Sequence, residues 1–182
     1  MRAFQVPTRD QVSANNQAIF DNLQKKLGFV PNLYAAYAYN DTALEDYLGF
    51  QGRKSTLKTK EKEVVNLVVS QINECSYCLA AHTAIGKMNG FTDAQILEIR
   101  SGAASFDAKL DALARFTQDI TINRSKPSPE ALDQLFEAGY NEANLVDIVV
   151  AIGDKVISNF IHGATQVPVD FPAAPALEEI TA

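Results

Sequence analysis
Both cysteines of the 182-residue chain and one of its two histidines lie in a single short run, Glu74-Cys75-Ser76-Tyr77-Cys78-Leu79-Ala80-Ala81-His82, which contains neither glycine nor proline. On a helix, Cys75, Cys78 and His82 stand at i, i+3 and i+7 and project from one face, two turns long. Residues three apart on a helix are separated by about 5 to 6 Å, inside the window that a disulfide needs. The pair can therefore pass between dithiol and disulfide with little backbone movement. His82, one turn beyond Cys78, is placed to take a thiol proton and then to steady the thiolate as imidazolium. Thiol reduction of a peroxide needs a thiolate to attack the O–O bond, a proton for the departing alkoxide, and a second thiol to trap the sulfenic acid as a disulfide. This run offers all three.

The same residues admit plainer uses. Cys75, Cys78, His82 and His162 make a Cys2His2 zinc set by count, but a structural zinc site takes its Cys-x-x-Cys from a turn, whereas this pair lies inside a helical pattern. An inert pair is the other plain reading. The expectation is redox chemistry with no cofactor and no metal. Which cysteine attacks is open at this level: Cys75 is nearer the helix N-terminus, where thiol pKa values fall, while Cys78 is nearer His82. His162, in Ser158-Asn159-Phe160-Ile161-His162, reads as a satisfied structural histidine rather than a pocket residue.

The run closely resembles the active-site signature of the alkylhydroperoxidase D-like family, the redox-active branch of the carboxymuconolactone decarboxylase superfamily. In that family Glu, Cys-x-x-Cys and His recur at fixed spacing. Here Cys75-Ser76-Tyr77-Cys78 supplies the pair, His82 follows four residues after the second cysteine, and Glu63 precedes the first by twelve. Tyr77 departs from the best-known members, which carry a histidine between the cysteines. The resemblance implies that Cys78 is the peroxidatic cysteine, Cys75 the resolving one, His82 the base, and Glu63 the carboxylate that orients or recharges the relay. It also implies an AhpD-like all-α bundle, a homo-oligomer that is commonly a trimer or hexamer, and a dithiol or lipoyl-bearing protein as reductant. The function expected is a thiol-dependent peroxidase acting on organic or hydrogen peroxides. The alternatives are an oligomeric thiol redox sensor without turnover, and a lactone decarboxylase or hydrolase of the wider superfamily, whose members lack the cysteine pair.

These residues must be held by helices, because no stretch alternates with period two and apolar positions recur at helical spacing throughout. Helices are expected from Ser13 to Leu27, with Gly28 as stop; from Pro31 to about Tyr39; from Ala43 to about Lys54; and from Thr59 to Asn73. The cysteine helix follows to Asn89. Further helices run from Phe106 to about Ile122, from Ala131 to Ala138, and from Asn141 to about Gly163. Val64, Val65, Leu67, Val68 and Val69 make the Thr59 helix apolar nearly all round, hence central and buried. Glu63 borders that buried part. Gly90-Phe91-Thr92-Asp93-Ala94-Gln95-Ile96 is echoed by Gly139-Tyr140-Asn141-Glu142-Ala143-Asn144-Leu145, so two related helical hairpins are expected. The aromatics Tyr34, Tyr37, Tyr39, Tyr47 and Phe50 read as core filler, with a sharper use in lining the path of an apolar substrate. The proline-rich tail from Val167 reads as an extended arm, placed against a neighbouring subunit.

The length suits one domain over residues 1–182, able to bury about seventy per cent of its unfolded surface without disulfide or metal support. With 16 Lys and Arg against 22 Asp and Glu, a net charge of −6 and a pI near 4.9, no nucleic acid or membrane partner is expected. The start, Met1 to Pro7, lacks the apolar stretch of a secretory signal, and no run approaches the ~18 apolar residues of a span. A cytoplasmic location is the expectation, where a Cys-x-x-Cys is more often redox-active or metal-binding than a structural staple.

Overall fold
The structure, a computed structural model, describes residues 4–177. After a short 3-10 turn, Arg9–Gln11, come α1 (Ala14–Leu27), α2 (Asn32–Tyr37), α3 (Ala43–Gln51), α4 (Thr59–Ile72), α5 (Ser76–Met88), α6 (Asp93–Arg100), α7 (Ala108–Ile122), α8 (Pro129–Glu137) and α9 (Glu142–Thr165). No strand occurs among the described residues, and the fold is all-α. None of these helices is long and apolar enough to cross a membrane.

The helix ends follow local chemistry. Ser13, Thr92, Asp107, Ser128 and Asn141 each accept a backbone N–H of the first turn at the N-terminus they cap. The two echoed segments share one closure: Gly90 and Gly139 take φ +85° and +89°, and the amides of Phe91 and Tyr140 reach back to the carbonyls of Gly86 and Leu135. That is the Schellman turn, and its left-handed residue favours glycine. Each then feeds a capping box, Thr92 with Gln95 and Asn141 with Asn144. The related hairpins of the sequence are thus α5–α6 and α8–α9.

Helix α4 runs through the centre, its Val64, Val65, Leu67, Val68 and Val69 all fully buried. They pack with Ile96, Ile99, Leu113, Phe116, Leu135 and Ile148 into one large apolar cluster. A second cluster gathers Phe20, Leu33, Leu44, Tyr37, Tyr47 and Tyr77 around both cysteines.

The tail is extended, as expected, and lies along its own chain: Asp170 accepts the Asn32 amide at 2.7 Å, Arg100 donates to the Pro175 carbonyl at 2.6 Å, and Phe171 meets the rings of Phe29 and Tyr77. One expectation is corrected: the cysteine helix does not include both cysteines. Helix α4 closes with another Schellman turn, in which Glu74 is left-handed at φ +52° and the Cys75 amide donates to the Ser70 carbonyl at 3.0 Å. Cys75 therefore ends one helix and caps the next, and without a glycine to mark it the turn is invisible in the sequence.

Candidate active site
Three helices bring the chemistry together, each through polar side chains at three- and four-residue spacing. Helix α4 gives Glu63, Asn66 and Ser70; the start of α5 gives Cys75, Cys78 and His82; α9 gives Lys155, Ser158 and Asn159. Cys75 stands at the N-cap of α5, and its sulfur accepts the Cys78 amide at 3.3 Å. Both cysteines are free, and they are 3% and 2% exposed. The Cys78 thiol lies 4.0 Å from the Ser158 hydroxyl.

Their acidities diverge. Hydrogen bonding from the Cys75 thiol, the Lys155 ammonium and Asn159 together hold the Cys78 thiol down at about 6, against the opposing effect of burial. Cys75 moves up, because it hydrogen-bonds to Cys78 as donor, is buried, and faces the charge that Cys78 carries. The proximity of Cys75 to the helix N-terminus does not decide the matter. Cys78, in the first helical turn, also benefits from the helix end, and it alone has the cation beside it.

Glu63 and His82 meet across α4 and α5: Glu63 Oε2 and His82 Nδ1 are 2.8 Å apart, and Asn66 donates to the other carboxylate oxygen at 3.0 Å. Burial opposes ionisation of Glu63, yet His82, Asn66 and Lys155 hold its carboxyl below the usual range. A carboxylate only accepts, so His82 Nδ1 carries a hydrogen, and an Nε2 that faces an ammonium donor is the acceptor. Facing that atom at 2.6 Å is Lys155 Nζ, on a side chain 3% exposed. The sequence reading passed over Lys155. A signal was present, since Lys155, Ser158, Asn159 and His162 lie at i, i+3, i+4 and i+7, which is one polar face of the last helix.

His162 stands apart from the sulfurs' polar partners. Its ring packs against Tyr77 with centroids 5.4 Å apart, and its Nε2 lies 3.2 Å from the Val167 carbonyl. Tyr77 likewise turns its hydroxyl to the Leu33 amide, which donates to it at 3.2 Å. No cluster of three or more His, Cys, Asp or Glu suited to a metal occurs among the described residues.

Of the aromatics, Tyr37 and Tyr47 stack with centroids 4.4 Å apart, and Tyr34 donates to Gln51 at 2.9 Å. Tyr39 and Phe50 are exposed. Burial pushes Tyr34 up to about 12, with Asp154 adding to it. Gln51 in turn donates to Tyr47 and reaches Asp154. A cleft lined by Phe50, Gln51, Lys62, Asn66 and Asp154 opens over this network. It touches Asn66, which holds Glu63, and Gln51, which holds the tyrosines.

A model of the carboxymuconolactone decarboxylase family matches residues 35–119. An uncharacterized peroxidase-related protein from Silicibacter sp. TM1040 is 26% identical, with a TM-score of 0.80 over 94% of this chain and 91% of its own. A second such protein, from Ralstonia eutropha JMP134 and described as an alkylhydroperoxidase AhpD core, is 19% identical with a TM-score of 0.79 over 88% of each chain. The debrominase Bmp8, solved as a cysteine-to-alanine variant with 2,3,4-tribromopyrrole, is 15% identical with a TM-score of 0.75 over 93% of this chain and 92% of its own. The last two likenesses concern the fold alone.

Proposed function
Because the chain belongs to the carboxymuconolactone decarboxylase superfamily with an AhpD-like fold, we propose that it is a thiol-dependent peroxidase reducing organic or hydrogen peroxides through a Cys75–Cys78 disulfide. The observation that carries this reading is the placement of two free thiols at the start of α5, Cys75 at the N-cap with its sulfur on the Cys78 amide at 3.3 Å and Cys78 facing Ser158 of α9. The acidity of Cys78 is raised and that of Cys75 lowered, in the direction that these roles require. Cys78 is the attacking sulfur. Its thiolate takes the distal peroxide oxygen, the O–O bond breaks, and Cys78 becomes a sulfenic acid. The Cys75 thiol then attacks that sulfur, the disulfide forms, and water leaves. His82 and Glu63 form the relay that maintains the protonation states around the sulfurs.

An external dithiol, free or carried on a lipoyl protein, restores the pair. The protein acts as a homo-oligomer, a trimer or hexamer. In support of assembly, Val146, Val149, Ile157 and Phe160 leave one face of α9 exposed at 62%, 47%, 44% and 64%.

Turnover of cumene hydroperoxide with dihydrolipoamide, read together with mass spectra after one equivalent of peroxide, tests the reading. Sulfenic acid should accumulate in Cys75→Ser and be absent from Cys78→Ser. Accumulation only in Cys78→Ser reverses the two roles. A disulfide that forms once, without turnover under any dithiol, replaces the peroxidase with a redox sensor.

A further inference from the structure
We propose that Lys155 is the acid that protonates the departing alkoxide. This rests on the peroxidase reading above and extends it to a residue outside the Cys-x-x-Cys, His and Glu pattern.

The argument is one of proton supply. When the O–O bond breaks, an alkoxide forms inside a site whose sulfurs are 3% and 2% exposed, so the proton must come from a side chain. The hydrogen on His82 Nδ1 is committed to Glu63 at 2.8 Å. Its other nitrogen is an acceptor already covered by Lys155 at 2.6 Å. Ser158 gives its hydrogen to the Lys155 carbonyl at 3.0 Å, and Tyr34 gives its own to Gln51 at 2.9 Å. The Tyr77 hydroxyl accepts the Leu33 amide and gives its own hydrogen toward Asp170.

Lys155 is different. An ammonium carries three N–H donors, and only the bond to His82 is found for it among the described residues. The remaining donors are buried, on the helix face that also carries Ser158 toward Cys78. The same positive charge favours the Cys78 thiolate, so one group both activates the nucleophile and carries protons for the leaving group, whereas the buried Tyr37 hydroxyl, unpartnered among the described residues, brings a proton without a charge.

The protons balance. Thiolate, peroxide and the Lys155 proton give sulfenic acid, alcohol and a neutral amine. The disulfide step then consumes the Cys75 proton in making water. When the external dithiol reduces the disulfide, Cys78 leaves as thiolate, and the surplus dithiol proton returns to Lys155. His82, held by Glu63, accepts from that amine and keeps it aimed.

Leaving-group chemistry separates this role from a structural one. A peroxy acid expels a carboxylate, which departs without a proton, whereas cumene hydroperoxide expels an alkoxide, which needs one. Single-turnover oxidation of the intact chain by each oxidant is compared for wild type, Lys155→Met and Lys155→Arg. Lys155→Met should lose about 10²-fold in rate with cumene hydroperoxide relative to peracetic acid. Lys155→Arg keeps the charge but holds its proton too tightly to give it up. It should react readily with peracetic acid, show the same skewed ratio, and carry the test if Lys155→Met fails to fold. Equal slowing with both oxidants, or no slowing, in the folded variants overturns the proposal while leaving the peroxidase intact. A wild type that reduces neither oxidant overturns the peroxidase reading and this proposal with it.

Discussion
Around α4 the chain builds two unlike interiors. On one side Val64, Leu67, Ile99, Leu113, Phe116 and Leu135 interlock as an aliphatic cluster with one aromatic at its centre. On the other, Tyr37, Tyr47, Tyr77 and the two cysteines mix rings, sulfur and hydroxyls. The first interior gains its stability from apolar area and close packing, without directional bonds. The second is buried just as deeply but includes groups that need partners, and it obtains them from α9: Ser158 for Cys78, Asn159 for Ser70, Lys155 for His82. The turns repeat the contrast. Gly90 and Gly139 adopt positive φ at no steric cost, while the turn that delivers Cys75 imposes φ +52° on Glu74. The lesson is a division of labour in which the aliphatic side fixes three helices rigidly enough for the polar side to keep unlike charges close.

If that division is real, variants on the two sides should fail differently. The largest effect expected is Phe116→Ala, which empties a fully buried site of the aliphatic cluster and should cost about 3–5 kcal/mol in denaturant unfolding. The rate of peroxide reduction per folded molecule should be unchanged. A large rate loss in the still-folded fraction would mean the two interiors are coupled.

Glu63→Gln is the complement. It should lower the rate of Cys78 oxidation by about 10²-fold in stopped-flow, about 3 kcal/mol in barrier, because His82 loses the negative charge that partners its Nδ1 hydrogen. An unchanged rate would move Glu63 to the structural side of the comparison.

The pH response sharpens the contrast without any loss of fold. With its pKa depressed to about 6, Cys78 is mainly thiolate above that pH and mainly thiol below it. Its alkylation by iodoacetamide should be flat near neutrality and fall about tenfold per unit on the acid side. A midpoint near the ordinary ~8.5 would remove the acidity split from the argument. Val68→Ala, on the aliphatic side, should leave this profile in place.

The smallest effect belongs to the turns. Gly139→Ala, at φ +89° with open space around it, should cost about 1 kcal/mol through backbone strain alone. In the equivalent turn beside the cysteines, Glu74→Gly relieves the same conformation, so the melting midpoint should rise or hold. A fall would show that Glu74 has contacts outweighing its strain.

Much of this was legible in the residues. The helices follow from apolar spacing, and their ends from Ser13, Gly28, Gly90, Ser128 with Pro129, and Asn141, because caps and stops are local chemistry that each segment carries with it. The run from Cys75 to His82 marked the site, since helical spacing alone puts three reactive groups on neighbouring turns. The turn at Glu74 was hidden because a non-glycine occupies the left-handed position. The tail reads as an extended arm, but nothing in a proline-rich stretch names the surface it will cover.

What the sequence determined by itself is what depends on near neighbours: helix class, caps, and the presence of two thiols and an imidazole within two turns. Only the tertiary structure decided what surrounds the two sulfurs. Cys75 is the largest influence lowering Cys78, Lys155, which is 77 residues away along the chain, and Asn159 add to it from α9, and Glu63 reaches His82 from another helix. A thiol's acidity is set by the charges and donors within a few ångströms of it. Those are assembled by packing α4, α5 and α9 together, which no local pattern encodes.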